Sequence, residues 1–189
     1  MTYARRAARF AALCTFLTVL AVAAICATGR AWAQPVGGIS AVSLKSSQGP
    51  AGPAGAAALV GGRAIAPIDA PAAVRRTIGA ANRIRAKPYL WGGGHGRWWD
   101  RGYDCSGAVS FALRGGGFLE RPLPSGPMTH WGKPGPGHWI TVYANAGHAY
   151  AVIAGLRWDT SGNTHGTGPR WHSDPADSDG FVARHPVGY

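Results

Sequence analysis

Hydrophobic patterning starts late in this chain, and that bounds where it can fold. Residues 34–70 are made largely of Gly, Ala, Pro and Ser, with no aromatic residue and little periodicity. Such composition reads as a flexible tether. The two collagen-like triplets inside it, Gly49-Pro50-Ala51-Gly52-Pro53-Ala54, are too few for a triple helix. A core therefore has to come from residues 71–189, a length suited to one domain.

Ahead of the tether, residues 1–33 carry the marks of a secretory signal peptide. A basic start holds Arg5, Arg6 and Arg9, an apolar run follows from Phe10 to Ala27, and Ala31-Trp32-Ala33 offers a cleavage site before Gln34. An uncleaved anchor is the competing reading, because the apolar run approaches the roughly 20 residues of a membrane span. The small residues at Ala31 and Ala33 favour cleavage. The expected location is then the cell envelope or the medium, with no stable membrane span left.

Cleavage changes two counts. Cys14 and Cys26 leave with the signal, so Cys105 is the sole cysteine of the mature chain and no internal disulfide can form. A lone thiol in an oxidising compartment has to be buried or used. Four of the 19 Lys+Arg leave as well (Arg5, Arg6, Arg9, Arg30) and no acid does. That leaves 15 against 8 Asp+Glu, a formal net charge of +7 in place of +11. A basic exported chain suits an anionic partner such as a cell-wall polymer. Nucleic acid is not an expected partner, since no nucleic-acid-binding motif is present.

Within 71–189 the first helix is expected after Asp69 as cap and Pro71 as first helical residue. Val74, Ile78, Ala81 and Ile84 fall on one face, with Arg75, Arg76, Arg83 and Arg85 off it, and Lys87-Pro88 ends the run. A second helix should run from Cys105 to about Leu113 or Arg114, stopped by Gly115-Gly116-Gly117. Residues 118–137 are proline-rich and read as a long loop. From His138 the pattern turns to strands: Trp139 to Tyr143, Ala149 to Ile153, Leu156 to Thr160, and Phe181-Val182-Ala183 at the sheet edge. Turns fall at Asn145-Ala146-Gly147 and Gly155. Helices followed by a meander of strands describe an α+β fold, with N-terminal helices packed on an antiparallel sheet.

The chemistry concentrates in Gly102-Tyr103-Asp104-Cys105-Ser106-Gly107. A cysteine in the first turn of a helix feels the positive end of the macrodipole and unpaired N–H groups. Both favour thiolate, the nucleophilic form. The small neighbours Ser106 and Gly107 leave room for a carbonyl to approach. Burial as a small hydrophobe also explains a free cysteine, though not this setting. A cysteine nucleophile needs a base, and the base an orienting group. Of the seven histidines, His148 opens a convincing strand, Gly147 to Ile153, and strands hold side chains firmly. Asp159 follows the turn at Gly155, and an antiparallel return would carry it back to His148 to fix the tautomer. A plain Asp-Thr-Ser-Gly turn is the other account of Asp159.

Pro88-Tyr89-Leu90-Trp91-Gly92-Gly93, then Asp104-Cys105-Ser106-Gly107, then Gly147-His148 before a hydrophobic strand, resembles the NlpC/P60 family of cell-wall cysteine peptidases. The resemblance covers about residues 71–189. It implies a papain-like α+β core and hydrolysis of amide bonds in peptidoglycan stem peptides without a cofactor. It assigns Cys105 as nucleophile, His148 as base and then acid, and the third, polar position to Asp159. The Cys105 N–H would meet the oxyanion. Tyr89 matches an active-site tyrosine, and Asp104 and Ser106 match positions that meet a free amino group of the substrate. There are departures. The third residue is more often histidine in the family, and the usual Pro-Gly-Asp before the histidine strand is absent. Gly94-His95-Gly96-Arg97-Trp98-Trp99 looks inserted beside the cleft, its aromatics serving as a substrate wall or as packing. Three other readings stay open. One is a metal hydrolase, although no HExxH or close ligand pair appears. The others are a binding module on a degenerate peptidase fold, and acyl transfer by the same Cys–His pair.

Overall fold

The computed structural model describes residues 55–162 and 167–189. The segment read as a signal peptide, the stretch read as a tether up to residue 54, and His165 lie outside the described residues. The architecture is α+β, with two helices packed against a six-stranded antiparallel sheet.

Helix α1 (Ala72–Ile84) buries Val74, Ile78, Ala81 and Ile84 and leaves Arg75, Arg76 and Arg83 exposed, as its periodicity predicts. Its start differs from expectation. Pro71 is the cap, with ψ 151° and no side-chain hydrogen bond. Asp69 instead accepts the Gly55 N–H at 2.9 Å. At the other end, Arg170 donates to the carbonyls of Arg85 (2.7 Å) and Lys87 (3.2 Å), satisfying acceptors the helix exit leaves open. Helix α2 (Cys105–Gly116) is buried along nearly its whole length. It runs past Arg114 because Gly117, not Gly115, takes the left-handed conformation (φ 88°). Two closing bonds follow, Gly117 N–H to Arg114 O and Phe118 N–H to Leu113 O. The expected loop at 118–137 contains one helical turn, α3 (Ser125–Met128), anchored by the fully buried Met128.

The sheet consists of β3 (Lys133–Pro134), β4 (Ile140–Ala144), β5 (Ala149–Ile153), β6 (Leu156–Asp159), β7 (Arg170–His172) and β8 (Val182–His185), in the order β3-β8-β4-β5-β6-β7. The β4–β5–β6 meander is the one read from sequence. β5 and β6 join through the two-residue turn Ala154-Gly155, with both residues at positive φ (48° and 83°), which suits the twist of a tight hairpin. Two differences stand out. β8 is not an edge strand: it pairs with β4, and the two-residue β3 covers its other side. The Arg184 guanidinium fixes that edge by donating to the carbonyls of Trp131 (2.6 Å) and Gly132 (2.9 Å). β7 is too short to leave a periodic signal. Trp171 on it packs on Trp158 at 4.9 Å between ring centroids.

The tether reading fails at its C-terminal end. β1 (Ala58–Val60) and β2 (Arg63–Ile65) form a hairpin, and Ala57, Ala64 and Ala70 are buried in the core. The clamp is polar. Asn82 on α1 accepts the Ala64 N–H (3.1 Å) and the Trp171 Nε1–H (3.0 Å) and donates to Ala64 O (2.8 Å). The Ala57 N–H donates to Ala154 O at 2.8 Å, which pins the strained β5–β6 turn. Alanines held by one buried amide leave no hydrophobic period to read. A chain starting at Pro71 loses the two Asn82–Ala64 hydrogen bonds, each worth about 0.5–1.5 kcal/mol net, and the burial of Ala57, Ala64 and Ala70. Thermal unfolding should therefore show a clearly lower midpoint for a chain starting at Pro71 than for one starting at Gly55. Equal midpoints would return residues 55–70 to the role of a loose tether.

Candidate active site

Helix α2 begins at Asp104, whose backbone is extended (φ −83°, ψ −177°) and whose Oδ1 accepts the Gly107 N–H at 2.7 Å. That side-chain cap sets Cys105 at the first helical position, beside backbone donors the helix leaves without internal acceptors. The turn is pressed onto the glycine loop before it. A Cβ on Gly107 would overlap the Gly93 carbonyl oxygen, so close approach demands glycine there.

His148 is delivered by the β4–β5 turn. Asn145 Oδ1 accepts the N–H groups of Gly147 and His148, both at 2.9 Å, and the Asn145 N–H donates to His148 O at 3.0 Å. The His148 Nε2 lies 2.9 Å from Asp159 Oδ1, and the Cys105 thiol lies near enough to shift the ring's titration. Asp159 is 3% exposed. Its Oδ1 also accepts the Ser161 N–H (3.0 Å), and its Oδ2 accepts Arg157 Nη1–H (2.8 Å). Arg157 and Asp159 share a face of β6, while Trp158 points the other way and donates Nε1–H to Ala108 O on α2 at 3.1 Å. Arg157 is itself buried and reaches Asp174, with Nη2 to Oδ2 at 2.9 Å and Nε to the carbonyl at 3.3 Å. A continuous chain of polar contacts therefore runs from Cys105 through His148, Asp159 and Arg157 to Asp174.

These contacts set the charges. The hydrogen bond that Asp159 accepts from its ring N–H, then the interaction with Cys105, raises the His148 imidazolium to about 9. Burial pushes the Cys105 thiol up, but the His148 hydrogen bond, the Ala149 backbone N–H and the His148 charge together bring it below the ordinary thiol value. Burial likewise opposes the Asp159 carboxylate, and His148 and the Ser161 N–H hold it below the usual carboxylate range. The arrangement favours a thiolate beside an imidazolium.

A cleft of about 300 Å³ opens on Cys105, lined also by Tyr89, Trp91, His95, Asp104, Ser106 and Ser125. All six residues singled out in the sequence, Cys105, His148, Asp159, Tyr89, Asp104 and Ser106, therefore lie at or next to one site. Burial, then the negative charges of Cys105 and Asp104, raises the Tyr89 hydroxyl above its ordinary value. Asp104 is heavily engaged within the protein. Besides Gly107, its Oδ1 meets His95 Nε2 (3.1 Å) and the Ser106 hydroxyl (3.2 Å), and its Oδ2 accepts the Gly92 N–H (3.1 Å). His95 also lies 3.1 Å from Ser106 Oγ.

His95, Arg157, Ser161 and Asn145 were not singled out by sequence. His95 had one available signal, its place between two glycines in the inserted stretch. The tryptophans there divide. Trp98 is half-buried under Arg114, Trp99 is exposed beside Lys87, and Trp91, upstream of the stretch, forms the cleft rim. Among the described residues no group of three His, Cys, Asp or Glu side chains is placed to hold a metal ion, and no helix is long and apolar enough to cross a membrane.

No family model and no curated protein matches the chain. Three solved structures from Mycobacterium tuberculosis are similar to it. A hypothetical invasion protein is 22% identical, covering 62% of this chain and 63% of its own, with a TM-score of 0.46. The peptidoglycan hydrolase RipB is 24% identical over 62% of this chain and 66% of its own, with a TM-score of 0.47. RipD, a non-catalytic NlpC/p60 domain protein adapted to peptidoglycan binding, is 19% identical over 61% of this chain and 98% of its own, with a TM-score of 0.44. The chain thus spans just under two thirds of the length of the first two.

The electrostatics carry a signed prediction. His148 is raised on folding, so its contribution to stability is complete below its ordinary value of 6.5 and lost as pH rises through about 9. Asp159 is lowered, so its contribution is present above 3.8 and lost in acid. In a proton-NMR titration, His148 should titrate near 9 in the wild type and fall back towards 6.5 in Asp159→Asn. An unshifted His148 in that variant would break the proposed coupling.

Proposed function

We propose that this chain is an exported cysteine hydrolase that cleaves amide bonds in peptidoglycan stem peptides. The observation that carries the chemistry is the buried Asp159 carboxylate 2.9 Å from His148 Nε2, with the Cys105 thiol shifting the titration of the same imidazole. A binding module has no need of a buried carboxylate that holds an imidazole charged beside a thiol. The choice of substrate rests on the Tyr-x-Trp-Gly-Gly, Asp-Cys-Ser-Gly and Gly-His segments and their order, and export rests on residues 1–33.

In this reading the Cys105 thiolate attacks the scissile carbonyl carbon, and negative charge develops on its oxygen. The Cys105 N–H, at the positive end of α2, meets that oxygen; removing one such donor typically costs about 10²–10³ in rate. The imidazolium of His148 then gives its proton to the departing amine as the C–N bond breaks, leaving a thioester. Water, deprotonated by the now neutral imidazole, hydrolyses the thioester and restores the thiolate–imidazolium pair. Asp159 holds the ring through Nε2 and stabilises its charge, and Arg157 keeps Asp159 ionised and in place. Tyr89, Asp104 and Ser106 border the bound peptide beside the thiol.

Incubation of the purified protein with peptidoglycan fragments under reducing conditions, read by mass spectrometry, tests this. New peptide fragments should appear with the wild type and be absent with Cys105→Ala. Asp159→Ala should lower turnover by on the order of 10⁴-fold. Equal activity from Cys105→Ala would sink the hydrolase, and fragments bound but uncut by the wild type would point to a binding module instead. The rate should also fall as pH rises through about 9, where His148 loses the proton it must donate. A rate still climbing well above that pH would remove His148 as the acid.

A further inference from the structure

Two contiguous grooves lie on the exposed faces of α1 and α2, away from the cleft, with volumes of about 260 and 380 Å³. They share Arg83 and Gly115. One extends to Arg114 and Phe111, the other to Arg76 and Gly79. We propose that this composite groove binds a phosphodiester-linked anionic polymer of the cell wall. The proposal rests on the export reading above, because export is what brings a wall polymer, rather than nucleic acid, to this face.

Three observations support an anion site. First, Arg76, Arg83 and Arg114 have no carboxylate partner: the ion pairs among the described residues involve His95, Arg97, His148 and Arg157. Second, these guanidinium groups are steadied by neutral groups. Arg114 sits 4.6 Å over the Trp98 ring, Arg83 5.7 Å over Phe111, and Arg76 donates to Gly116 O at 3.2 Å. Stacking orients the planar fork while leaving most of its N–H donors for an oxyanion. Third, Gly79 sits in mid-helix, where glycine costs about 1 kcal/mol relative to alanine. A Cβ there would meet nothing within 4 Å, so packing does not require the glycine. What its missing side chain does is keep the groove open between Arg76 and Arg83. Gly115 is the contrasting case, since a Cβ on it would strike Ala80.

The layout fits a polymer better than a single ion. Arg76 and Arg83 are two turns apart on α1, about 10 Å along the axis, so successive charges can each meet a guanidinium. The bidentate fork and weak hydration of Arg suit phosphate oxygens. Arg114 lies about 14 Å along α2 from Cys105, which leaves the cleft clear while the polymer is held.

The test is binding to purified poly(glycerol phosphate), with neutral dextran, polygalacturonate, duplex DNA and vesicles of phosphatidylcholine with phosphatidylglycerol as comparison arms. Two variants separate the site from general charge. Arg83→Gln with Arg114→Gln removes two cations. Gly79→Glu places an anion in the groove without removing a contact, and should leave the thermal midpoint no lower. Each should weaken poly(glycerol phosphate) binding about tenfold or more at fixed salt, with cleavage of soluble stem peptides unchanged. Unaltered affinity in Gly79→Glu, or tighter wild-type binding to DNA, polygalacturonate or vesicles than to the phosphodiester polymer, overturns the proposal. Groove-dependent binding by a wild type that cuts no peptide would overturn the hydrolase reading alone. Cleavage with binding unchanged in both variants would overturn the groove alone.

Discussion

A carboxylate that is 3% exposed has to be paired, and the pairing of Asp159 organises this molecule. Burying an isolated charge is prohibitive. Asp159 is met by His148 Nε2, Arg157 Nη1 and the Ser161 N–H, so both of its oxygens are engaged. Arg157 does more than neutralise it. A lone buried Asp–His pair would let the carboxyl take up a proton. A second cation on the far oxygen favours the ionised form, and that in turn favours imidazolium at His148. The exposed carboxylate of Asp174 then steadies Arg157 from the solvent side.

The fold supplies the geometry that this charge chain requires. Asp159 ends β6 and His148 immediately precedes β5, adjacent antiparallel strands joined by a two-residue turn, so strand pairing and the Asn145 turn together set their separation. Cys105 comes from a different element, and its distance from the sheet is fixed by packing. Trp158 is wholly buried and bonded to the Ala108 carbonyl, one turn into α2, which ties the cysteine helix to the strand carrying Asp159. The residue leading into the hairpin at residues 58–65 acts at a remove: the Ala57 N–H holds the strained Ala154 turn that closes β5 onto β6.

Much of this was legible in the sequence where a single residue type admits few roles. Cys105 at a helix start, His148 opening a strand and Asp159 on its return are brought together as their spacing implies, because strand period and turn position are local properties. What was not legible depends on pairing between distant segments. Arg157 reads as an ordinary charged residue of a strand until its partner Asp174 is seen. Asn82 reads as a helix-surface amide until the hairpin and Trp171 arrive at it. β8 looked like an edge because no periodicity announces the two residues of β3 that cover it. Asp69 looked like a helix cap, yet the chain spends it on Gly55 N–H. Asp104 lines the cleft, and its oxygens also cap α2 and hold the glycine loop and His95, contacts its motif does not announce. In each case a polar side chain had several chemically equivalent uses, and tertiary structure chose among them.

The central claim is that Cys105 rests as a thiolate because His148, charged through Asp159, stands beside it. Its most direct measure is the rate at which iodoacetamide alkylates Cys105 between pH 4 and 10, followed by intact mass. The account predicts a rate that rises and levels off at lower pH than the roughly 8.5 at which a free cysteine ionises, with that shift lost in Asp159→Asn. A single rise centred at the ordinary thiol value in the wild type would contradict it.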